Sequence, residues 1–197
     1  MIMDNHTNNA NSASDFSGYC QEITAWRVMA DITDGLLADA QYDKVVVSPK
    51  AIAINDDGSF RLVDQKPDEV FEAPETRRGK KNEASLVWSL AATIFHLVMG
   101  CDIMNGKGGA GQHAKSKVPY MRSEMPLLSA LLQRCLHFDP TERPSQSEVS
   151  QTAHQQYEAC KNFLKKGPAF KQVIDSTGKS GSRIDEVWPE EMIDNTK

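Results

Sequence analysis

The segment from Ser85 to Met99 constrains the fold of this 197-residue chain more than any other part. Wound as a helix, it is apolar on nearly every face, and Gly100 stands where such a helix is expected to stop. A helix that is apolar all round is buried all round, so the segment is predicted to be the central post of the domain. Ser89, Thr93 and His96 interrupt it, and it is shorter than the ~20 apolar residues of a membrane span, so no span is predicted.

Three further helices and one hairpin are predicted around this post. Apolar residues at helical spacing and a Ser-x-x-Glu capping box indicate the helices, and two β-prone runs around an Asp-Gly turn indicate the hairpin. The helices are Glu22–Ala40, Leu127–Leu136 and a segment between Ser145 and Gly167, and the strands are Ala51–Ile54 and Phe60–Val63. Separate helices around one small hairpin predict an α+β fold that is mostly α.

The ends of the chain differ in composition from its middle. Residues 1–17 are rich in Asn and Ser and are interpreted as a disordered leader, residues 18–168 as one domain, and residues 169–197 as a polar, partly disordered acidic tail. The cysteines at positions 20, 101, 135 and 160 form no Cys-x-x-Cys pair, and none of their possible pairings is favoured. Buried free thiols in a reducing cytoplasm are the preferred interpretation, so a cytoplasmic location is expected.

The net charge of −5 hides an uneven distribution along the chain. Residues 1–75 carry 5 basic and 14 acidic side chains (−9), residues 76–183 carry 16 and 8 (+8), and residues 184–197 carry 1 and 5 (−4). The negative total disfavours a generic nucleic-acid binder. The acidic first part could steer a basic partner toward the protein, and ordinary surface charge is the competing interpretation.

Three stretches resemble the C-terminal lobe of the protein-kinase fold, and they keep the order that they have there. Phe71–Glu75 is similar to the A-P-E end of an activation segment, Ser85–Ala91 to the start of the central kinase helix, and Cys135–Ser145 to the corner before the last helices. In kinases the A-P-E glutamate pairs with the arginine of that corner. The resemblance therefore implies a buried ion pair between Glu75 and Arg143, with a structural role.

The segments that resemble a kinase do not include the parts that transfer phosphate. Only 21 residues precede the first predicted helix, so the N-lobe with its Gly-rich loop and lysine is expected to be missing. Aligning Pro49 with the proline of the kinase H-R-D-x-K-P-x-N pattern places Val46, Ser48 and Ala51 at the catalytic aspartate, the lysine and the metal-binding asparagine. Valine can neither accept a proton nor bind a metal. Asp64 stands at the position of the D-F-G aspartate without the Phe-Gly that follows it, and is interpreted as a solvated turn residue.

This combination resembles the KIND family, the kinase non-catalytic C-lobe domain of Spir-type actin nucleators and of certain scaffold proteins and tyrosine phosphatases. The similarity includes Ala25–Val28 in the first helix, the Ser-Pro strand-turn-strand segment Val47–Arg61, and the short connection into Phe71–Glu75. Trp88-Ser89 and Thr141–Pro144 are more similar to active kinases, so an independent kinase-derived pseudokinase fragment stays open. The resemblance implies a module that binds a peptide of a cytoskeletal or signalling partner, without catalysis, cofactor or metal.

An acidic edge near the first helix is the predicted docking surface. In Spir-type members of the family the partner is the basic tail of a formin, and a basic peptide is expected here by charge complementarity. The acidic edge consists of Asp31, Asp34, Asp39 and Asp43. The sequence leaves the identity of the partner and the oligomeric state open.

Two other functions compete with this interpretation. The first is a minimal or split kinase that recruits an N-lobe from another chain and holds Mg²⁺ through Asp64. The second is a structural subunit that uses the acidic segment Asp185–Asp194 as a linear motif.

Two weaker signals are interpreted as structural. The segment Lys107–Gly111 is similar to a deviant phosphate loop, but it lacks the required Gly-Lys-Ser/Thr, and a flexible surface loop is preferred. The histidines and aspartate at positions 96, 137 and 139 lack the spacing of metal ligands.

Overall fold

The central post is a buried helix. In the computed structural model, which describes residues 22–39, 45–79, 81–118, 121 and 125–165, this helix spans Glu83–Met99 and buries 13 of its 17 residues. The Asn82 side chain accepts a hydrogen bond from the Ser85 amide, and the Ser85 hydroxyl accepts one from the Asn82 amide, which closes a capping box. Gly100 ends the helix with a φ of 68°. The predicted central helix is therefore confirmed.

The described part of the chain is an α+β fold that is mostly helical, as predicted. Its elements are α1 (Glu22–Ala38), β1 (Ile52–Ile54), β2 (Phe60–Leu62), α2 (Glu83–Met99), α3 (Pro126–Cys135) and α4 (Gln146–Lys165). Short 3₁₀ turns lie between them, at Pro49–Ala51, Glu69–Phe71, Thr76–Arg78, Gly108–Gly111 and Pro140–Glu142. None of the helices in the described ranges is long and apolar enough to cross a membrane.

The two strands pair antiparallel, with Ile52 opposite Leu62. The turn between them has a φ of 74° at Gly58, a value that glycine adopts without strain. Each strand is one residue shorter than predicted because Ala51 belongs to the preceding 3₁₀ turn, although the Val63 amide still donates to the Ala51 carbonyl. β1 is mostly buried, so the hairpin contributes to the core as well as to the surface.

The chain divides into two units, Met1–Tyr157 and Glu158–Lys197, and the division falls inside α4. The central helix, the hairpin and the site residues discussed below belong to the first unit. In the described part of the second unit, Lys161 forms an ion pair with Glu158. The predicted domain boundaries at residues 17 and 168 lie outside the described residues.

The three described cysteines lie in different environments. Cys135 is fully buried, and burial raises the pKa of its thiol to about 12, so it behaves as an inert core residue. Cys160 is half-buried, and Cys101 is exposed just beyond the end of α2. The prediction of buried thiols is therefore correct for Cys135 and wrong for Cys101, and Cys20 lies outside the described residues.

Candidate functional site

The structure brings Glu75 and Arg143 into a bidentate ion pair. Nη1 and Nη2 of Arg143 donate to the two carboxylate oxygens of Glu75 at 2.7 and 2.9 Å. The other donors of the guanidinium bind main-chain carbonyls: Nη1 that of Ala84 at 2.9 Å, Nη2 that of Phe138 at 3.1 Å and Nε that of His137 at 2.8 Å. All five N–H groups of a side chain that is 0% exposed are thus satisfied inside the protein.

The charge state of Glu75 follows from this geometry. Burial alone would raise the pKa of the Glu75 carboxyl, but the hydrogen bonds and the positive charge of Arg143 outweigh it and hold that pKa below its usual value. The Ser85 hydroxyl at the start of α2 adds a further hydrogen bond at 2.8 Å. The ion pair therefore joins the segment before α2, the helix itself and the corner before α4, which is a structural role.

The positions that the kinase resemblance assigns to catalysis are filled by buried side chains. Val46 is 9% exposed, Ser48 1% and Ala51 3%. None of these three side chains carries the carboxylate, amine or amide that the kinase pattern has at these positions.

Hydrogen bonds from α2 hold this segment in place. The Val47 carbonyl accepts from the Ser89 hydroxyl at 2.8 Å and from the Thr93 hydroxyl at 2.9 Å, and both contacts are buried. The polar residues that interrupt the apolar pattern of α2 therefore anchor a neighbouring loop. The segment before β1 acts as part of the core.

Asp64 is exposed in the stretch that follows β2. Within the described ranges, no three side chains of His, Cys, Asp or Glu come close enough together to hold a metal ion. A solvated position for Asp64 agrees with its interpretation from the sequence.

A small depression with a cavity volume of about 10 Å³ lies where the segment before β1 meets α2 and the segment Phe71–Glu75. The ion pair between Glu72 and Lys81, with an N–O distance of 3.7 Å, lies on its wall. That volume is about the size of one water molecule and lies far below the roughly 300–1,000 Å³ of typical ligand pockets. The lining residues are Val45, Val46, Glu72, Ala73, Thr76, Lys81, Ser85, Leu86 and Ser89.

The predicted acidic edge separates into residues with different roles. The carboxylate of Asp31 accepts from the Phe60 amide at 2.9 Å and lies 3.6 Å from Arg27, so it attaches the hairpin to α1. Burial raises the pKa of Asp31 in spite of these two favourable contacts. Asp31 therefore has a structural role, and Asp43 lies outside the described residues.

Asp34 connects α1 to α4. Its two oxygens contact the Ser150 hydroxyl at 2.6 Å and Nε2 of His154 at 2.8 Å. Asp34 is nevertheless exposed, as are Leu37, at 47%, and Asp39. Of the four predicted residues, Asp34 and Asp39 are therefore the two described ones that are exposed, whereas Asp31 is half-buried.

The glycine-rich segment after α2 is packed against the protein, which corrects the prediction of a flexible surface loop. Gly108 and Gly109 are buried, and the Gly109 amide donates to the Glu72 carbonyl at 3.2 Å. A Cβ atom at Gly108 would collide with the backbone of Val70, and one at Gly109 with the backbone of Glu72. Glycine is needed here because the two backbone segments approach each other closely. A glycine-rich sequence is also typical of flexible loops, so the sequence alone does not distinguish the two cases.

Gln112 was missed by the sequence reasoning. It is buried and joins α2 to the end of α3: its side-chain oxygen accepts from Nε1 of Trp88 at 2.9 Å, and its amide donates to the Leu136 carbonyl at 2.7 Å. The only sequence signal was a tryptophan in the most buried helix, because a buried indole N–H needs an acceptor.

No protein-family model matches the chain, and no curated protein matches it.

Proposed function

We propose that this chain is a catalytically inactive, kinase-like C-lobe module of the KIND type, located in the cytoplasm, that binds a peptide segment of a protein partner. The observation that carries the proposal is the segment from Val46 to Ala51. At the positions of the catalytic aspartate, lysine and asparagine it has three buried side chains, and hydrogen bonds from α2 hold the Val47 carbonyl between them. The ion pair of Glu75 with Arg143, which the kinase resemblance implies, supports the same fold family.

The C-terminal end of α1 is the proposed docking surface. The last turn of α1 contains no basic residue, and the exposed Asp39 follows it directly. The C-terminus of a helix carries a partial negative charge, and Asp39 adds to that charge instead of offsetting it. Asp34 and Leu37 lie three residues apart and therefore on neighbouring positions of one helix face. A basic peptide with an apolar residue would meet the charge with Lys or Arg and Leu37 with its apolar side chain.

Peptide binding by single-residue variants tests this surface. A fluorescent peptide of alternating Lys, Arg and Leu is titrated with the full chain, and an acidic peptide of matched length serves as the reference. We expect the basic peptide to bind more tightly, and the Asp39→Lys variant to weaken that binding roughly 1.5- to 5-fold, since exposed charge pairs contribute ~0.2–1 kcal/mol each. Added salt should weaken binding of the unmodified chain more than binding of the variant.

Asp56→Lys is the matched control. Asp56 is exposed in the hairpin turn, whose Asp57 carbonyl accepts from Arg27 near the start of α1, so its reversal changes the net charge of residues 1–75 by the same amount but not at the C-terminal end of α1. Asp34→Asn is the second variant, because asparagine can keep the hydrogen bonds to α4 while it removes the charge. Asp31 is unsuitable, since its loss would release the hairpin. Equal loss of binding in Asp39→Lys and Asp56→Lys would reject the docking surface.

A further inference from the structure

We propose that Asn105 is a site of spontaneous deamidation and isoaspartate formation, a covalent modification that does not depend on the proposed function. Asn105 and Gly106 form the only Asn-Gly pair in the chain. Both are exposed, in the turn between α2 and the buried glycines Gly108 and Gly109. A glycine after asparagine matters because no side chain shields the backbone nitrogen that must attack.

A hydrogen-bonded turn presents this pair to solvent. The Lys107 amide donates to the Met104 carbonyl at 3.2 Å, which makes Asn105 and Gly106 the two central residues. Their φ angles are 54° and 78°, and positive values at both positions are typical of a primed turn. A Cβ atom at Gly106 would meet nothing within 4 Å, so no packed neighbour covers this side of the turn.

The reacting groups are also free of hydrogen bonds within the described part of the chain. The Gly106 amide donates to no acceptor there, and the Asn105 side chain has no partner there. The Gly106 nitrogen can therefore lose its proton to solvent base, and the Asn105 side chain can rotate toward it.

The other described candidates are restrained. The Asn55 side chain donates to the Ser59 hydroxyl and accepts from Nε of Arg61, and Asn82 caps α2. The two Asp-Gly pairs of the chain are restrained as well. The Gly58 amide donates to the Asn55 carbonyl at 2.9 Å, and Gly35 lies inside α1. These residues provide internal references for the rate at Asn105.

The reaction balances with water as the only co-reactant. The deprotonated Gly106 nitrogen forms a bond to Cγ of Asn105, the bond from Cγ to the side-chain nitrogen breaks, and ammonia leaves after taking up a proton. Water then opens the cyclic imide. Attack at Cγ gives aspartate, and attack at the main-chain carbonyl carbon gives isoaspartate. The net change is asparagine plus water to a carboxylic acid plus ammonia.

The position of the turn gives the modification a structural consequence. Isoaspartate at position 105 adds a methylene to the backbone three residues before Gly108, and the buried segment Gly108–Gly109 has no space for even a Cβ atom. The Gly109 amide bonds to the Glu72 carbonyl, and Glu72 lines the depression beside α2. We therefore infer that the aged protein loosens this contact while the rest of the core stays packed.

Incubation of the full chain at neutral and at mildly alkaline pH tests the site. Aliquots are digested under acidic conditions, and the peptides that contain Asn105, Asn55 and Asn82 are quantified by mass spectrometry, with isoaspartate separated from aspartate by chromatography. We expect the Asn105 peptide to be lost first, faster at higher pH, and to be replaced mainly by isoaspartate. Amide hydrogen exchange should then show lost protection at Gly109 in the aged sample.

Two variants separate the modification from general damage. Asn105→Gln should stay intact and keep protection at Gly109 through the same incubation, because the glutamine side chain cyclises far more slowly. Asn55→Gln should age like the unmodified chain. Conversion of Asn105 no faster than that of Asn82 in the folded protein would overturn the site. Full protection of Gly109 in converted protein would overturn the structural consequence.

Discussion

Arg143 and Arg134 show how differently two arginines of one protein can contribute to stability. Arg143 is fully buried and satisfied at every N–H, whereas Arg134 pairs with Glu148 at 2.6 Å on the surface. Replacing Arg143 by methionine leaves the Glu75 carboxylate without its charged partner inside the protein. This should lower the free energy of unfolding by ~3–5 kcal/mol. Arg134→Met is the control, with an expected loss of ~0–1 kcal/mol. Urea denaturation followed by circular dichroism measures both, and equal losses would contradict the structural role of the ion pair.

The low pKa of Glu75 predicts where acid destabilises the protein. Its pKa is lower in the folded state than in the unfolded state, so ionised Glu75 contributes stability above the unfolded value of about 4.3. That contribution is lost as the pH falls through the folded-state pKa. The stability gap between the unmodified chain and Glu75→Gln should therefore be widest near neutral pH and narrow as the pH falls below about 5. A gap that stays constant across this range would show that Glu75 does not titrate in this way.

At the scale of residues, the sequence predicted the ion pair but not the hydrogen bonds around it. The Glu75–Arg143 pair could be expected because the kinase resemblance supplies both residues. The carbonyls of Ala84, His137 and Phe138 that complete the site could not, because they depend on loop conformation rather than on residue type. The same holds for the contact of Asp31 with the Phe60 amide, which depends on where the hairpin lies against α1.

At the scale of elements, the periodicity of the chain was most informative where one helix is buried on all sides. A helix with a nearly continuous apolar pattern is expected to be buried on all sides, and α2 is buried in this way. The segment Gly108–Gly111 was misjudged because glycine permits both flexibility and close backbone contact, and only the neighbours decide which applies.

Two glycine-to-alanine substitutions with opposite expected signs test this distinction. Gly109→Ala places a methyl group against the backbone of Glu72 and should lower the free energy of unfolding by ~1–3 kcal/mol. Gly35→Ala lies in α1 with no atom within 4 Å, and should raise it by ~0.5–1 kcal/mol, because alanine loses less backbone entropy in a helix. Thermal denaturation of the two variants measures the difference. A neutral or stabilising Gly109→Ala would mean that the glycine segment is not packed as described.

At the scale of the whole molecule, contacts between distant parts of the chain hold the first unit together. Asp34 bonds to Ser150 across 116 residues and to His154 across 120. Nothing in the local sequence indicates these contacts, since they depend on how α1 and α4 meet. Charge patterning pointed to Asp34 for a different reason, as part of an acidic edge.

A double-mutant cycle measures the contact between these two helices. Asp34→Ala and Ser150→Ala should each lower the free energy of unfolding by ~1 kcal/mol, and the double variant should lose less than the sum of the two. Ser145→Ala, at the start of α4 and without contact to Asp34, is a suitable third variant, and its effect should add to that of Asp34→Ala. Additive losses for Asp34 with Ser150 would show that the two residues act independently.

The central proposal is that the segment Val46–Ala51 carries out no phosphoryl transfer. Thermal unfolding of the full chain is followed during a titration with Mg-ATP, in parallel with Asp64→Ala, which removes the carboxylate at the D-F-G position. The account predicts the same melting temperature at every nucleotide concentration for both proteins, because ligand binding to the folded state would raise it. Stabilisation of the unmodified chain that disappears in Asp64→Ala would contradict the account and favour a nucleotide-binding or split kinase.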